Sequence, residues 1–131
     1  MIGLDSNVII RHLTQDDPVQ SPKATEVFER RLTQRNPGFV SVVAIVETAW
    51  VLERAYGFGD NDIARAIERL LGTDVLVFQD EDAVFTALTA LQARLGSFAD
   101  ALIGVLGSKA GCSLTLTFDA RAARLPAFEL L

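Results

Sequence analysis

The sequence is poor in the residues that build disulfides, thiolate metal sites and nucleophilic triads. Its 131 residues include one cysteine and one histidine. That excludes an internal disulfide and any multi-cysteine metal site. No Ser–His–Asp or Cys–His arrangement is in view either. Cys112 lies in the apolar stretch Ala110-Gly111-Cys112-Ser113-Leu114 and is expected to be a buried, inert thiol. His12 follows the first predicted helical turn and is expected to pack beside the core. No apolar run approaches the roughly 18–20 residues of a membrane span. The N-terminal apolar run has no basic region before it and is broken by Asp5, so a secretory signal is not expected. A reducing, cytoplasmic compartment suits this pattern. A glycine-rich phosphate loop with its lysine is also missing, as are internal repeats, low-complexity segments and linkers.

Positive charge is scarce as well. Twelve Lys and Arg stand against seventeen Asp and Glu, a formal net charge of −5, with a pI near 4.7. A broad basic face for gripping nucleic acid is thereby excluded. The balance is uneven along the chain. Residues 11–36 carry Arg11, Lys23, Arg30, Arg31 and Arg35 against four acids, whereas residues 47–100 carry ten acids against four arginines. Most of an acidic middle is solvated helix surface, unless a few of its carboxylates converge on a cation.

Hydrophobic residues make up 50% of the chain, and the mean hydropathy is +0.28. The chain is therefore expected to fold, as one domain over residues 1–131. Short continuous apolar runs alternate with helical periodicity, which predicts an α/β domain with a mostly parallel central sheet flanked by helices on both faces. Ile2–Leu4 reads as a strand and Ser6 or Asn7 as the cap of the helix after it. Ser21-Pro22 opens a second helix. Phe39-Val40 is a strand, with Ser41 capping a helix that runs from Val42 to about Tyr56. That helix is apolar on nearly every side and is expected to be buried, with Trp50 and Tyr56 in core packing. Asp60 is expected to cap a helix ending at Gly72. Asp74–Phe78 reads as a strand, and Asp80-Glu81-Asp82 opens another helix. Phe98–Gly111 is a second apolar helix, rich in small residues that let it lie close to a sheet. Leu114–Thr117 and Phe128–Leu131 are the last strands.

Four acids are singled out by position. Asp5 and Asp119 each follow a predicted strand, and Glu47 and Asp100 each sit near the start of an unusually apolar helix. In a parallel α/β sheet these places share one rim, where ligands bind. Each acid also has a plainer reading. Asp5 and Asp119 can cap the turns that follow them, and Asp100 can be an acid favoured by its helix dipole. Glu47 resists such a reading if its helix is buried, because an uncompensated buried charge is costly. Together the four form an oxygen-only set, which suits Mg²⁺ or Mn²⁺. A phospho-accepting receiver domain would need a Lys at the end of a late strand, and neither Lys23 nor Lys109 is there. A haloacid-dehalogenase-type phosphatase would want an Asp where this chain has Asn7.

Four segments, Leu4-Asp5-Ser6-Asn7-Val8-Ile9, Val42–Leu52 around Glu47, Phe98-Ala99-Asp100-Ala101-Leu102-Ile103 and Leu116-Thr117-Phe118-Asp119, resemble in order the signature blocks of PIN domains. More narrowly, the chain resembles the VapC toxins of type II toxin–antitoxin systems. The resemblance implies a metal-dependent endoribonuclease that leaves a 5′-phosphate and a 3′-hydroxyl. It implies Asp5, Glu47, Asp100 and Asp119 as the catalytic quartet, with Asp5 and Asp100 as direct Mg²⁺ ligands. Asp119 would serve a second metal or its water, and Glu47 the hydration shell. Ser6, Asn7 and Thr117 match polar positions that support the site or the scissile phosphate; Ser6 stands where the family commonly has Thr and keeps the hydroxyl. The resemblance further implies a homodimer and a VapB-like antitoxin that covers the groove with a basic residue near the acids. Specificity for a structured RNA would come from a small basic rim, with Arg11 and the Lys23–Arg35 helix as candidates. A PIN nuclease of RNA processing outside toxin–antitoxin systems and a catalytically idle PIN binding module are the alternative readings.

Overall fold

The computed structural model describes residues 1–131. Five short strands and six α-helices follow one another as β1 (Ile2–Gly3), α1 (Ser6–Thr14), α2 (Gln20–Glu26), β2 (Gly38–Val40), α3 (Val42–Tyr56), α4 (Asp60–Leu71), β3 (Leu76–Phe78), α5 (Glu81–Gln92), α6 (Phe98–Lys109), β4 (Thr115–Thr117) and β5 (Phe128–Leu130). Helix α2 runs on into a π-helical turn, Val27–Arg31, closed by the Leu32 N–H donating to the Val27 carbonyl at 2.9 Å. A 3₁₀ turn, Ala122–Arg124, precedes β5.

Every strand pairing is parallel, as the apolar runs predict. The strands fall into two ladders, however: β1–β2–β3, with β2 in the centre, and β4–β5. No ladder bonds join β1 to β4, so the single central sheet expected from the sequence is divided. With only Ile2 and Gly3 in extended pairing, β1 has little edge to offer beyond β2. The β4–β5 pair is seated against α6 instead. Gly104 faces the Phe128 ring so closely that any Cβ there would overlap it, and a Cβ at Gly107 would lie 3.3 Å from the Thr115 hydroxyl. The small residues of α6 are therefore what admits β5.

The core gathers residues from every layer, among them Val40, Ile45, Leu52, Ile67, Val84 and Leu102. Burying each large aliphatic side chain contributes roughly 1.5–3 kcal/mol. Most helices begin and end near the expected positions, but the capping differs in detail. Ser41 accepts the Ala44 N–H at 3.1 Å, as expected. The first position of α2 is prepared by Asp17, whose carboxylate accepts from Val19 and Gln20, while Ser21 is buried and its hydroxyl accepts the Asp17 N–H. The cap position of α4 belongs to Gly59, not Asp60; the Asp62 carboxylate takes the Gly59 N–H, and Asp60 pairs with Arg121 at 2.8 Å.

Two burial expectations are overturned. Helix α3 is buried on one side only, with Val43 73% and Trp50 54% exposed. Its outward side carries Val43 and Trp50 among Glu47, Glu53 and Arg54; with Glu47 the only charge in the first two turns, the opening half of the helix looks apolar all round. Cys112 is exposed, because the chain from Gly111 to Leu114 is a connection running over the surface. His12 does pack beside the core. Its ring stacks on Phe28 at 3.8 Å and 2° between planes, and its buried Nδ1 has no hydrogen-bond partner. Burial pushes the imidazole pKa below its usual 6.5, aided by the charge of Arg69 and opposed by Glu29.

Gly104→Val should cost roughly 1–3 kcal/mol through overpacking on Phe128, read as a lower urea midpoint. Gly3→Ala, with nothing within 4 Å of the new Cβ, should leave the midpoint near wild type. Because the folded His12 binds its proton more weakly than the unfolded one, stability should be unaffected above the unfolded pKa of about 6.5 and fall as pH drops below it. Urea denaturation between about pH 7.5 and about pH 5.5 reads that slope, and His12→Phe should remove it.

Candidate active site

Asp5 follows the stretch Ile2–Leu4, of which Leu4 is buried, and stands at the cap position of α1, with φ −76° and ψ 151°. Its carboxylate caps nothing. Neither Ser6 nor Asn7 caps the helix either, since both lie inside its first turn. Ser6 is 3% exposed, and its hydroxyl donates to Asp5 Oδ1 at 3.3 Å. Apart from that contact, the exposed Asp5 carboxylate has no partner in the protein, which disposes of the simple cap reading. Asn7 is exposed and its amide makes no hydrogen bond within the chain.

Glu47, in the second turn of α3, faces the same cleft. Asp5, Ser6, Asn7, Arg11, Glu47 and Tyr56 line a cavity of about 360 Å³, floored by Ile10, Val51 and Ala55. Glu47 is exposed, so the argument that a buried helix would force a role upon it does not stand. Its position across from Asp5 now carries that role. Glu47 has no ion pair and no hydrogen bond. On its other side it borders an apolar shelf of Val42, Val43, Val46 and Trp50. The Arg54 guanidinium lies 5.4 Å from the Trp50 ring centre.

The other two acids do not line this cleft. Asp100 is in the first turn of α6, half-buried, with its N–H donating to the Ser97 hydroxyl at 3.1 Å. Its carboxylate is unpaired. Asp119 is exposed and acts as the turn cap that its position after β4 also allowed. Its Oδ1 accepts from Arg121 N–H at 2.8 Å and Ala122 N–H at 3.4 Å. Thr117 serves the same turn, its hydroxyl accepting the Asp119 N–H at 3.0 Å. No three of the acidic, histidine or cysteine side chains stand close enough together to hold an ion among them.

That arrangement still fits a small hard cation. Mg²⁺ keeps several waters and is commonly held by one or two carboxylates together with substrate phosphate, not by an all-protein cage. Asp5 and Glu47 supply unpaired oxygen donors in one open cleft, and no softer ligand competes for the ion.

The cleft rim also holds a network that local sequence patterns do not reveal. Arg11 donates through Nη1 to Asp16 and to the Tyr56 hydroxyl, both at 3.0 Å, and through Nε to Gln20 at 2.9 Å. Tyr56 donates to Asp16 at 2.7 Å, as does Thr14. The Thr14 and Tyr56 hydroxyls, with Arg11, hold the Asp16 carboxyl down to a pKa of about 2. Asp16 therefore stays ionised at any working pH. Tyr56 thus packs its ring against the core, as expected, and also reaches the rim with its hydroxyl. The sequence signals only the Arg11–Asp16 half of this arrangement, by proximity; Tyr56 enters from 40 residues away.

No helix is long and apolar enough to cross a membrane. No curated protein matches the chain. The family model described as PIN domain matches residues 2–127, a span that takes in all four acids and every strand but β5. PIN domains are in general nucleases, and they generally use divalent metals such as Mg²⁺. An oxygen-lined cleft at the end of a parallel strand, within a fold matched over nearly its whole length, leads to one assignment: the chain belongs to the PIN domain family.

Proposed function

We propose that the chain is a metal-dependent endoribonuclease, the toxin of a type II, VapBC-like toxin–antitoxin module. The observation that carries the nuclease reading is the pair Asp5 and Glu47. They are two carboxylates brought from different parts of the chain to one open cleft, Glu47 with no protein partner and Asp5 with only the Ser6 hydroxyl. The toxin reading rests on the resemblance of the four sequence blocks to VapC proteins.

In this reading Asp5 holds Mg²⁺ in the cleft, with Mn²⁺ able to replace it, and Asp100, which lies outside the cleft lining, is named as the second ligand from the resemblance alone. When bound, such an ion offsets charge on a phosphate and lowers the pKa of water. Ser6 keeps the Asp5 carboxylate oriented through its hydroxyl. Glu47 accepts hydrogen bonds from water in the cleft. Asn7 turns its unspent amide donors to the scissile phosphate. Asp119 and Thr117 order the turn beside the site, and Asp119 Oδ2, free of the cap, serves a second ion or its water. The reaction is hydrolysis: a water oxygen bonds to phosphorus, the bond to the 3′ oxygen breaks, and the products are a 5′-phosphate and a 3′-hydroxyl.

The expected partners are an RNA substrate, a second copy of the chain, and a VapB-like antitoxin in the cytoplasm. The acidic cleft suits an antitoxin segment with a basic residue, and the apolar shelf of Val43, Val46 and Trp50 beside Glu47 suits the remainder of such a segment.

Asp5→Asn and Asp100→Asn should each reduce Mg²⁺-dependent RNA cleavage by a hundredfold or more, on the order of what removing one charge-stabilising group costs an active site. Both should retain wild-type circular dichroism, and both should lose growth arrest on expression. Undiminished cleavage by either variant sinks the site assignment. For the toxin reading, a small upstream gene whose product binds the chain and restores growth is the expected finding.

A further inference from the structure

The Asp5–Glu47 cleft continues into a second one. Asn7 and Arg11 line both. Beyond them the second cavity, of about 260 Å³, is bounded by Gln20 and Lys23 from α2, over an apolar floor of Val8, Ala24 and Val27. No acid lines it. In a chain of net charge −5, a cleft lined by two cations and no anion stands out, and it opens directly from the acidic one.

We propose that this second cleft is an RNA-backbone subsite. In it Arg11 and Lys23 hold the phosphate next to the scissile one and so set the strand's path across Asp5 and Glu47. The inference rests on the ribonuclease reading and adds to it a binding place and a direction. Its basis is the state of the Arg11 guanidinium. Nε and Nη1 are spent on Gln20, Asp16 and Tyr56, while Nη2 donates to nothing. Asp16 and Tyr56 thus fix the plane of the fork and leave one edge unspent. A guanidinium held this way loses little entropy when a phosphate takes the remaining donors. Lys23 is exposed and has no ion pair. The two acids that follow α1 are committed: Asp16 to Arg11, Thr14 and Tyr56, and Asp17 to the N–H groups of Val19 and Gln20. Arg11 and Lys23 are therefore the cations available to an anion here. A strand entering the acidic cleft needs such a counterweight, because phosphate and carboxylate repel.

The test combines cleavage kinetics with binding of a fluorescein-labelled single-stranded RNA, followed by anisotropy between about 50 mM and about 200 mM salt. Lys23→Gln should raise KM severalfold with little change in kcat. It should also flatten the slope of log K against log salt by about 0.7, the share of one single-strand phosphate contact. Arg11→Lys keeps the charge and loses the fork, so it should raise KM while preserving the slope. Arg69→Gln, an exposed cation on α4, should change neither. If Lys23→Gln matches wild type in both KM and slope, the subsite is overturned, including the case in which the cleft serves a partner protein's carboxylate instead. Failure of the wild type to cleave RNA with Mg²⁺ overturns the nuclease reading instead, and the salt slope then still decides the subsite.

Discussion

The parallel pairing of β1 with β2 is the constraint on which the site depends. The Leu4 N–H donates to the Phe39 carbonyl at 3.0 Å, and that bond sets where the first strand ends. Asp5 follows immediately, and Ser41 stands at the corresponding place after β2, opening α3. The two loops that deliver Asp5 and Glu47 are thus in register because the strands are. The pairing is possible because Gly38 has no side chain: a Cβ there would meet Leu4 and Leu32 at 2.9 Å and Leu76 at 3.0 Å. Three leucines from separate parts of the chain converge on that space. Strands of two or three residues offer few ladder bonds, so packing of this kind has to hold the register.

A second consequence concerns how charge is distributed. The carboxylates divide into those that are spent and those that are not. Asp16, Asp17, Asp62, Asp80 and Asp82 take hydrogen bonds or ion pairs, and Lys109 alone bridges Asp80 and Asp82 at 3.0 Å each. These acids stabilise turns and helix starts. Asp5, Glu47 and Asp100 accept little or nothing from the protein. Of these, Asp5 and Glu47 share a cleft, where their oxygens remain open to a group from outside. Asp119 lies between the two groups, with one oxygen committed to a turn and the other free.

Parts of this were legible in the chain and parts were not. The parallel α/β class, the strand positions, the Ser41 cap and the seating of small residues on α6 follow from local periodicity and residue size, which need no knowledge of neighbours. The Asp5 rim position was legible for the same reason, since an acid directly after an apolar run has nowhere else to go. The exposure of Trp50 and Val43 was not, because an apolar residue looks the same whether a sheet or solvent lies beyond it. Cys112 misled in the same way: an apolar local sequence does not reveal that the segment crosses the surface. The division into two ladders depends on how far β1 and β4 extend, which local propensity does not set.

By itself, then, the sequence determined the order of elements, their parallel pairing, the oxygen-only chemistry of the four acids and the family to which they correspond. These rest on spacing and side-chain type, which are properties of the chain alone. Only the tertiary structure decided which acids share a cleft, which are spent on capping, and that Arg11 is held by Asp16 and by Tyr56 from 45 residues away. Partnership between side chains depends on distance in space, and a hydrogen bond formed across so many residues leaves no local mark on either end.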